Sequence, residues 1–332
     1  MTDISARDRI NSLTELARQA ETRGEWTESL SLILEALRIS DDHFGLNNTA
    51  SDEAQGMLAY NYRYQGRYEE AEKLDRIRLV RRQEMFGEEH RLTAMCTNNL
   101  ALDLKGQGRY AEALELEERV LGMMTKLQQG QGNGKVMTSM NNLANTYAIL
   151  GQYGKAAEMH DRALELRIRE YGPNHHLTIA SQDLLAVDFR HLGQVERALE
   201  LQEDAVNKAR SSLGESHETT TRCMVNLAAI FEAQDTEKSI ARAISLLEHA
   251  LGPFESRQME NTPLTIAMKN NLAMVYAKYG RLDDAKPLLV FCYEWNRQHL
   301  GQDNPTTQQA SANLTWLLEL SGELVRGPVI NT

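Results

Sequence analysis

Hydrophobic and polar positions repeat along this chain with a long period, and glycines mark its register. Gly24, Gly66, Gly108, Gly151, Gly193, Gly280 and Gly322 recur every 42 or 43 residues, apart from one gap of 87 before Gly280. That gap holds two periods plus three residues, with Lys238 at the missing node. Counted back from each glycine, leucine stands at minus eight (Leu100, Leu143, Leu185, Leu227, Leu272, Leu314) and alanine at minus seven (Ala59, Ala101, Ala144, Ala186, Ala228, Ala273). An aromatic follows at minus four (Tyr62, Tyr147, Phe189, Phe231, Tyr276). Around the insertion at 235–237, columns before it count from Asp235 and columns after it from Lys238. These three offsets share one face of an α-helix. Small residues five and twelve positions after the glycine (Ala71, Ala113, Ala156, Ala198 and Ala36, Ala163, Ala205, Ala250) mark a second helix. Each period therefore predicts helix, glycine turn, helix, and a fixed period of this length predicts a solenoid of stacked units. Lysine takes positive φ less readily than glycine, so the sixth turn is expected to be built differently.

Seven helix pairs are predicted at about 7–49, 50–92, 93–136, 137–177, 178–219, 220–264 and 265–306, with a capping helix at 307–325, all in one domain spanning 1–332. Thr93, Thr178, Thr220, Thr265 and Thr307 stand where each next pair begins and suit N-caps. His90, His175 and His217 precede three of them by three residues. Their spread, one per repeat, predicts loop or cap roles rather than a metal site, which needs ligands converging on one point. The Gly/Gln-rich stretch 127–135 is expected to be a mobile loop.

The pattern resembles tetratricopeptide repeats of the longer, kinesin light chain type. The resemblance is carried by Asn98-Asn99-Leu100-Ala101, Asn141-Asn142-Leu143-Ala144 and Asn270-Asn271-Leu272-Ala273, and by loops such as Phe86-Gly87-Glu88-Glu89-His90 and Tyr171-Gly172-Pro173-Asn174-His175. It implies an all-α, right-handed α-α superhelix with the first helix of each pair lining a concave groove. The asparagines at minus nine, Asn99, Asn142, Asn226, Asn271 and Asn313, resemble the ladder by which the kinesin light chain groove holds an extended peptide. An amide offers both donor and acceptor, so it can hold any peptide backbone. The same amides could instead bond across repeats and rigidify the stack, and the two roles are compatible.

With the core taking minus eight, minus seven and minus four, the inner stripe is expected at minus twelve, nine, five and two. Further groove residues are expected on this stripe (Tyr64, Met268, Lys278) and beside it (Tyr60, Asn145, Met274, Trp316). Met and aromatic side chains suit adaptable apolar recognition. Lys278 is almost the only base on this stripe, with Arg222 near its rim, which argues against an acidic cargo of the kind kinesin light chains take.

Charge and chemistry narrow the reading. Lys+Arg number 36 against 47 Asp+Glu, a net charge of −11 that disfavours nucleic acid. Three widely spaced cysteines and no apolar leader predict a reducing, cytoplasmic setting, and no window is apolar enough to span a membrane. No cofactor or metal motif stands out. The leading expectation is a non-catalytic scaffold for a peptide or protein partner. The alternative is a small-molecule or biosynthetic protein using acid–base chemistry by His191, Asp188 and Asp103 in an enclosed pocket. Self-association through the terminal repeats is a further expectation. No heptad segment of the kind that joins a motor heavy chain is present, which argues against a motor-subunit role.

Overall fold

In the computed structural model, residues 3–23, 25–45, 49–127, 134–255, 262–302 and 304–323 are described. Among them, fifteen helices run in order with no strand. The pairs are α1 (Asp3–Thr22) with α2 (Trp26–Phe44), α3 (Thr49–Tyr64) with α4 (Tyr68–Phe86), α5 (Arg91–Gly106) with α6 (Tyr110–Leu127), and α7 (Gly134–Ile149) with α8 (Tyr153–Tyr171). They continue as α9 (His176–His191) with α10 (Val195–Leu213), α11 (Glu218–Ala233) with α12 (Glu237–Glu255), and α13 (Pro263–Lys278) with α14 (Leu282–Leu300). α15 (Pro305–Leu320) follows alone. Most of the Gly/Gln-rich stretch, 128–133, and the last residues assigned to the capping helix lie outside the described residues.

The chain divides into two compact units, Met1–Leu166 and Arg167–Thr332, with the boundary inside α8. Unit 2 is built on one continuous apolar core running from Ile179 to Leu317, with Met224, Leu247, Met268 and Leu289 at its centre. In unit 1 the apolar residues form smaller clusters, among them Leu79, Cys96, Leu100 and Leu104, and Leu143, Tyr147 and Met159. The leucine, alanine and aromatic columns are buried in both units, as in Leu100, Ala101, Tyr147, Leu227, Ala228 and Phe231. Burying each such leucine contributes roughly 1.5–3 kcal/mol. The small columns of the second helices, Ala71, Ala113, Ala205 and Ala250, are fully buried, which lets neighbouring backbones approach closely.

One detail differs from the sequence expectation, and a second meets it. The N-caps are not the threonines but the residues three positions earlier. His90, His175 and His217 each accept a backbone N–H through Nδ1, from Leu92, Leu177 and Thr219, and Asn304 accepts from Thr306 through Oδ1. Thr262 caps α13 reciprocally with Thr265. The conserved-register threonines lie inside the first turn and are buried, where Thr93 donates through its hydroxyl to the carbonyl of Gly87 at 2.7 Å. At the sixth turn Asp235, not Lys238, adopts the left-handed backbone, with φ of 49°. Lys238 is already inside α12, whose start is closed by mutual bonds between Thr236 and Ser239.

Candidate functional site

The face left open by the first helices keeps two columns of the expected stripe, minus nine and minus two, and differs by one residue at the other two. Positions at minus twelve (Ala54, Cys96, Ser139, Ser181, Cys223, Met268, Ala310) and minus five (Asn61, Asp103, Thr146, Asp188, Ile230, Val275, Leu317) are all buried. The open positions are minus thirteen, nine, six and two. In unit 1 they present Met57, Tyr60 and Tyr64 on α3, Met95, Asn99 and Leu102 on α5, and Asn142, Asn145 and Ile149 on α7. In unit 2 they present Arg222 and Asn226 on α11, Asn271, Met274 and Lys278 on α13, and Asn313 and Trp316 on α15. A one-residue offset is about 100° of helix rotation. That rotation turns minus five and minus twelve into the seam between neighbouring first helices and minus six and minus thirteen out of it.

Met268 is therefore core, at 1% exposed, and not a groove residue. Asp103 and Asp188 are likewise buried rather than lining an open face. His191 is exposed at the end of α9, with Nε2 3.0 Å from Nη2 of Arg190. Partial burial and the Arg190 charge hold its pKa below the ordinary histidine value, while Asp188 pulls more weakly the other way. None of these three residues borders the clefts described below. Among the described residues, no cluster of histidines, cysteines and carboxylates could hold a metal ion.

The asparagine positions bond across repeats. Nδ2 of Asn142 donates to Oδ1 of Asn98 at 3.1 Å, and Nδ2 of Asn313 donates to Oδ1 of Asn270 at 3.0 Å. Asn226 donates to Oδ1 of the buried Asp183 at 2.9 Å, where Gln202 and Arg222 also converge. Each amide uses one of its two N–H groups in this bond. Tyr64 stacks on Trp26 with centroids 3.5 Å apart, and Lys278 pairs with Glu232 at 2.8 Å.

A cleft of about 710 Å³ lies in unit 1, bordered by α1, α3, α4 and α5. Its lining is mixed: Met57, Tyr60, Met85, Phe86 and Leu92 are apolar, while Arg18, Arg78, Arg81 and Arg82 stand among Glu21, Asp52 and Glu53, with Asn99 also on the border. Arg82 binds Asp52 and lies over the Phe86 ring at 5.7 Å. Arg81 has one close acceptor, Oε1 of Gln55 at 3.2 Å, with Asp52 at 3.9 Å. Arg78 is buried in the small-residue column, where its guanidinium reaches Asp75 at 2.6 Å and the Asp52 carbonyl at 3.1 Å. Sequence reading missed this cluster because the arginines come from α1 and α4, off the expected stripe. Two signals were present: an arginine in a column of small residues, and Gly56 inside a helix. In unit 2, clefts of about 860 and 340 Å³ border α12 and α14 and mix apolar residues with charges, among them the pair of Arg242 with Glu203.

The tetratricopeptide repeat family model matches residues 52–126, 135–211 and 184–252, more than half of the chain. The chain belongs to the tetratricopeptide repeat family. Its fifteen helices are the all-α solenoid of that family, a fold that typically serves as a protein-interaction scaffold. It is 25% identical over 244 residues to the kinesin light chain-related protein 2 of Arabidopsis thaliana, covering 71% of this chain and 35% of that protein. The related protein 3 of the same plant is 33% identical over 100 residues, covering 30% of this chain and 14% of that protein. The chain thus spans about a third or less of the length of these relatives. Among solved structures, a putative kinesin light chain with nearly identical repeats from Podospora anserina matches with a TM-score of 0.55 at 25% identity, over 62% of this chain and 96% of that one. The apo form of the quorum sensor NprR from B. thuringiensis matches in fold, with a TM-score of 0.67 at 14% identity over 87% of this chain and 77% of that one. No described helix is long and apolar enough to cross a membrane.

Proposed function

We propose that the protein is a non-catalytic interaction scaffold whose open first-helix faces hold an extended segment of a protein partner. In unit 1 the cleft is the anchoring point, taking a carboxylate of the partner beside an apolar side chain. The observation that carries this reading is the cleft's mixed lining, in which the apolar Met57, Tyr60 and Met85 stand together with Arg81 and Arg82. A guanidinium presents a fork of donors that fits a carboxylate, and Arg81 uses few of its own. Methionine and aromatic walls adapt to varied apolar groups. The amides of Asn99 and Asn142 then supply donors and acceptors for a backbone laid across the face. The arginines of α1 and α4 replace the earlier expectation that an acidic cargo is disfavoured, since that expectation counted only the inner stripe.

Panning random peptides displayed on phage against the intact chain tests this. Enriched peptides are expected to carry an acidic residue next to an apolar one, and to lose tenfold or more in affinity to the Arg81→Ala variant, on the order of one lost charge-assisted hydrogen bond. Enriched peptides without acidic residues, or with equal affinity for Arg81→Ala, would refute the anchoring role of the cleft.

A further inference from the structure

Behind the cleft, three successive helices meet at a group of buried charges. Asp75 on α4 and Asp103 on α5 are both fully buried. One guanidinium joins them: Nη2 of Arg63 donates to Oδ2 of Asp75 at 2.7 Å, and its Nε donates to Oδ1 of Asp103 at 2.7 Å. Asp75 is shared further, since its Oδ1 accepts from Nη1 of Arg78 at 2.6 Å. Oδ2 of Asp103 has no hydrogen-bond donor within the protein. The surrounding charges are committed elsewhere. Lys105 of α5 pairs with Glu117 of α6 at 2.9 Å, Arg82 of α4 binds Asp52 of α3, and Glu72 of α4 is held by Arg76, Gln107 and Arg109. Cys96 of α5 is a buried thiol pushed up in pKa by its burial.

Two acceptor-only carboxylates with one oxygen left over form a hydrogen bond to each other only if one of them holds a proton. Like charges confined in a buried site resist simultaneous ionisation. We propose that the joint of α3, α4 and α5 is a proton-operated clasp. Asp103 holds a proton directed at Asp75, and because Asp75 also holds Arg78, loss of that proton reaches the back wall of the unit 1 cleft. The clasp does not depend on what the cleft binds. Burial first, with the neighbouring Asp75 charge, pushes Asp103 up to about 7, against the opposing pull of Arg63.

The sign of the stability effect follows. A carboxyl that keeps its proton longer when folded contributes stability that is fully present in acid and lost as pH rises through its folded value. From 3.8 in the ordinary state to about 7 here, the unfolding constant is expected to increase by about a hundredfold between pH 5 and pH 8 because of this group. Asp103→Asn mimics the protonated carboxyl, since its amide can donate to Asp75 while its oxygen accepts from Arg63.

The test has two arms on the full chain. In the first, aspartate carboxyl carbons are followed by NMR from pH 4 to pH 9. One resonance is expected to titrate near neutrality and to vanish in Asp103→Asn, whereas every aspartate titrating below about pH 5 would overturn the clasp. In the second, urea unfolding at pH 5 and pH 8 is compared between wild type and Asp103→Asn. The variant is expected to remove most of the hundredfold pH difference, and an equal shift at both pH values would mark a merely structural residue and overturn the proposal. Should the variant not fold, the wild-type carboxyl titration alone decides.

Discussion

Gly56 sits in the middle of α3, where glycine ordinarily costs about 1 kcal/mol relative to alanine. Replacing it with alanine would therefore be expected to stabilise the chain if nothing else were present. The structure reverses that sign. A Cβ at this position would lie 2.6 Å from Nη2 and 2.8 Å from Cζ of Arg78. The guanidinium is the mobile end of its side chain, but here it is pinned by Asp75 at 2.6 Å and by the Asp52 carbonyl at 3.1 Å, and it is 8% exposed. Making room means breaking a buried ion pair, which costs about 3–5 kcal/mol, against a propensity gain of about 1 kcal/mol. Gly56→Ala is thus expected to destabilise by about 2–4 kcal/mol. In the Arg78→Ala background, where the column takes the residue it has at Ala36, Ala163 and Ala205, the same change should be neutral or stabilising by up to about 1 kcal/mol. Urea unfolding of the four chains of this double-mutant cycle, followed by circular dichroism, gives the coupling energy. A coupling below about 0.5 kcal/mol, or a wild-type background in which Gly56→Ala stabilises, would refute the argument that Gly56 exists to accommodate Arg78.

Two further changes separate core from open face and cap from loop. Met268→Ala should cost about 2–5 kcal/mol by leaving a cavity in the unit 2 core, whereas Met274→Ala, on the half-buried open face, should cost much less, as read from urea midpoints. Equal losses would contradict the shifted stripe. His217→Ala should lower stability by about 1 kcal/mol through loss of the α11 cap, and His217→Asn should restore most of it, because Asn304 does the same work at α15. Thermal unfolding would show this, and an asparagine variant no better than alanine would exclude the cap.

The candidate site was only partly legible before the structure. Asn142 and Asn313 were found by their register, and both lie on the open face. Their principal contact, however, is the asparagine one repeat earlier, which favours the rigidifying role that was the other reading of the same pattern. Tyr60, Tyr64, Met274, Lys278 and Trp316 are on the open face, while Met268, Asp103 and Asp188 are inside. The misplaced residues share an origin: all stand at minus twelve or minus five, about 100° of helix rotation from the open minus thirteen and minus six. The arginine cleft was missed for a different reason. Its members, from Arg18 to Asn99, are drawn from four helices, and no local spacing marks their convergence.

The sequence by itself determined the period, the helix pairs, the glycine turns and the leucine, alanine and aromatic core. All of these rest on contacts within a turn or two of helix or between the two helices of one pair, so their signature is local and repeats. Only the tertiary structure decided which flank of each first helix is covered by the next, which residue caps each helix, and that Arg63, Asp75, Asp103 and Arg78 meet in one buried group. Those outcomes depend on how one repeat is rotated against its neighbour. That rotation is set by summed side-chain packing and by the desolvation of particular charges, and it leaves no mark in the spacing of residues along the chain.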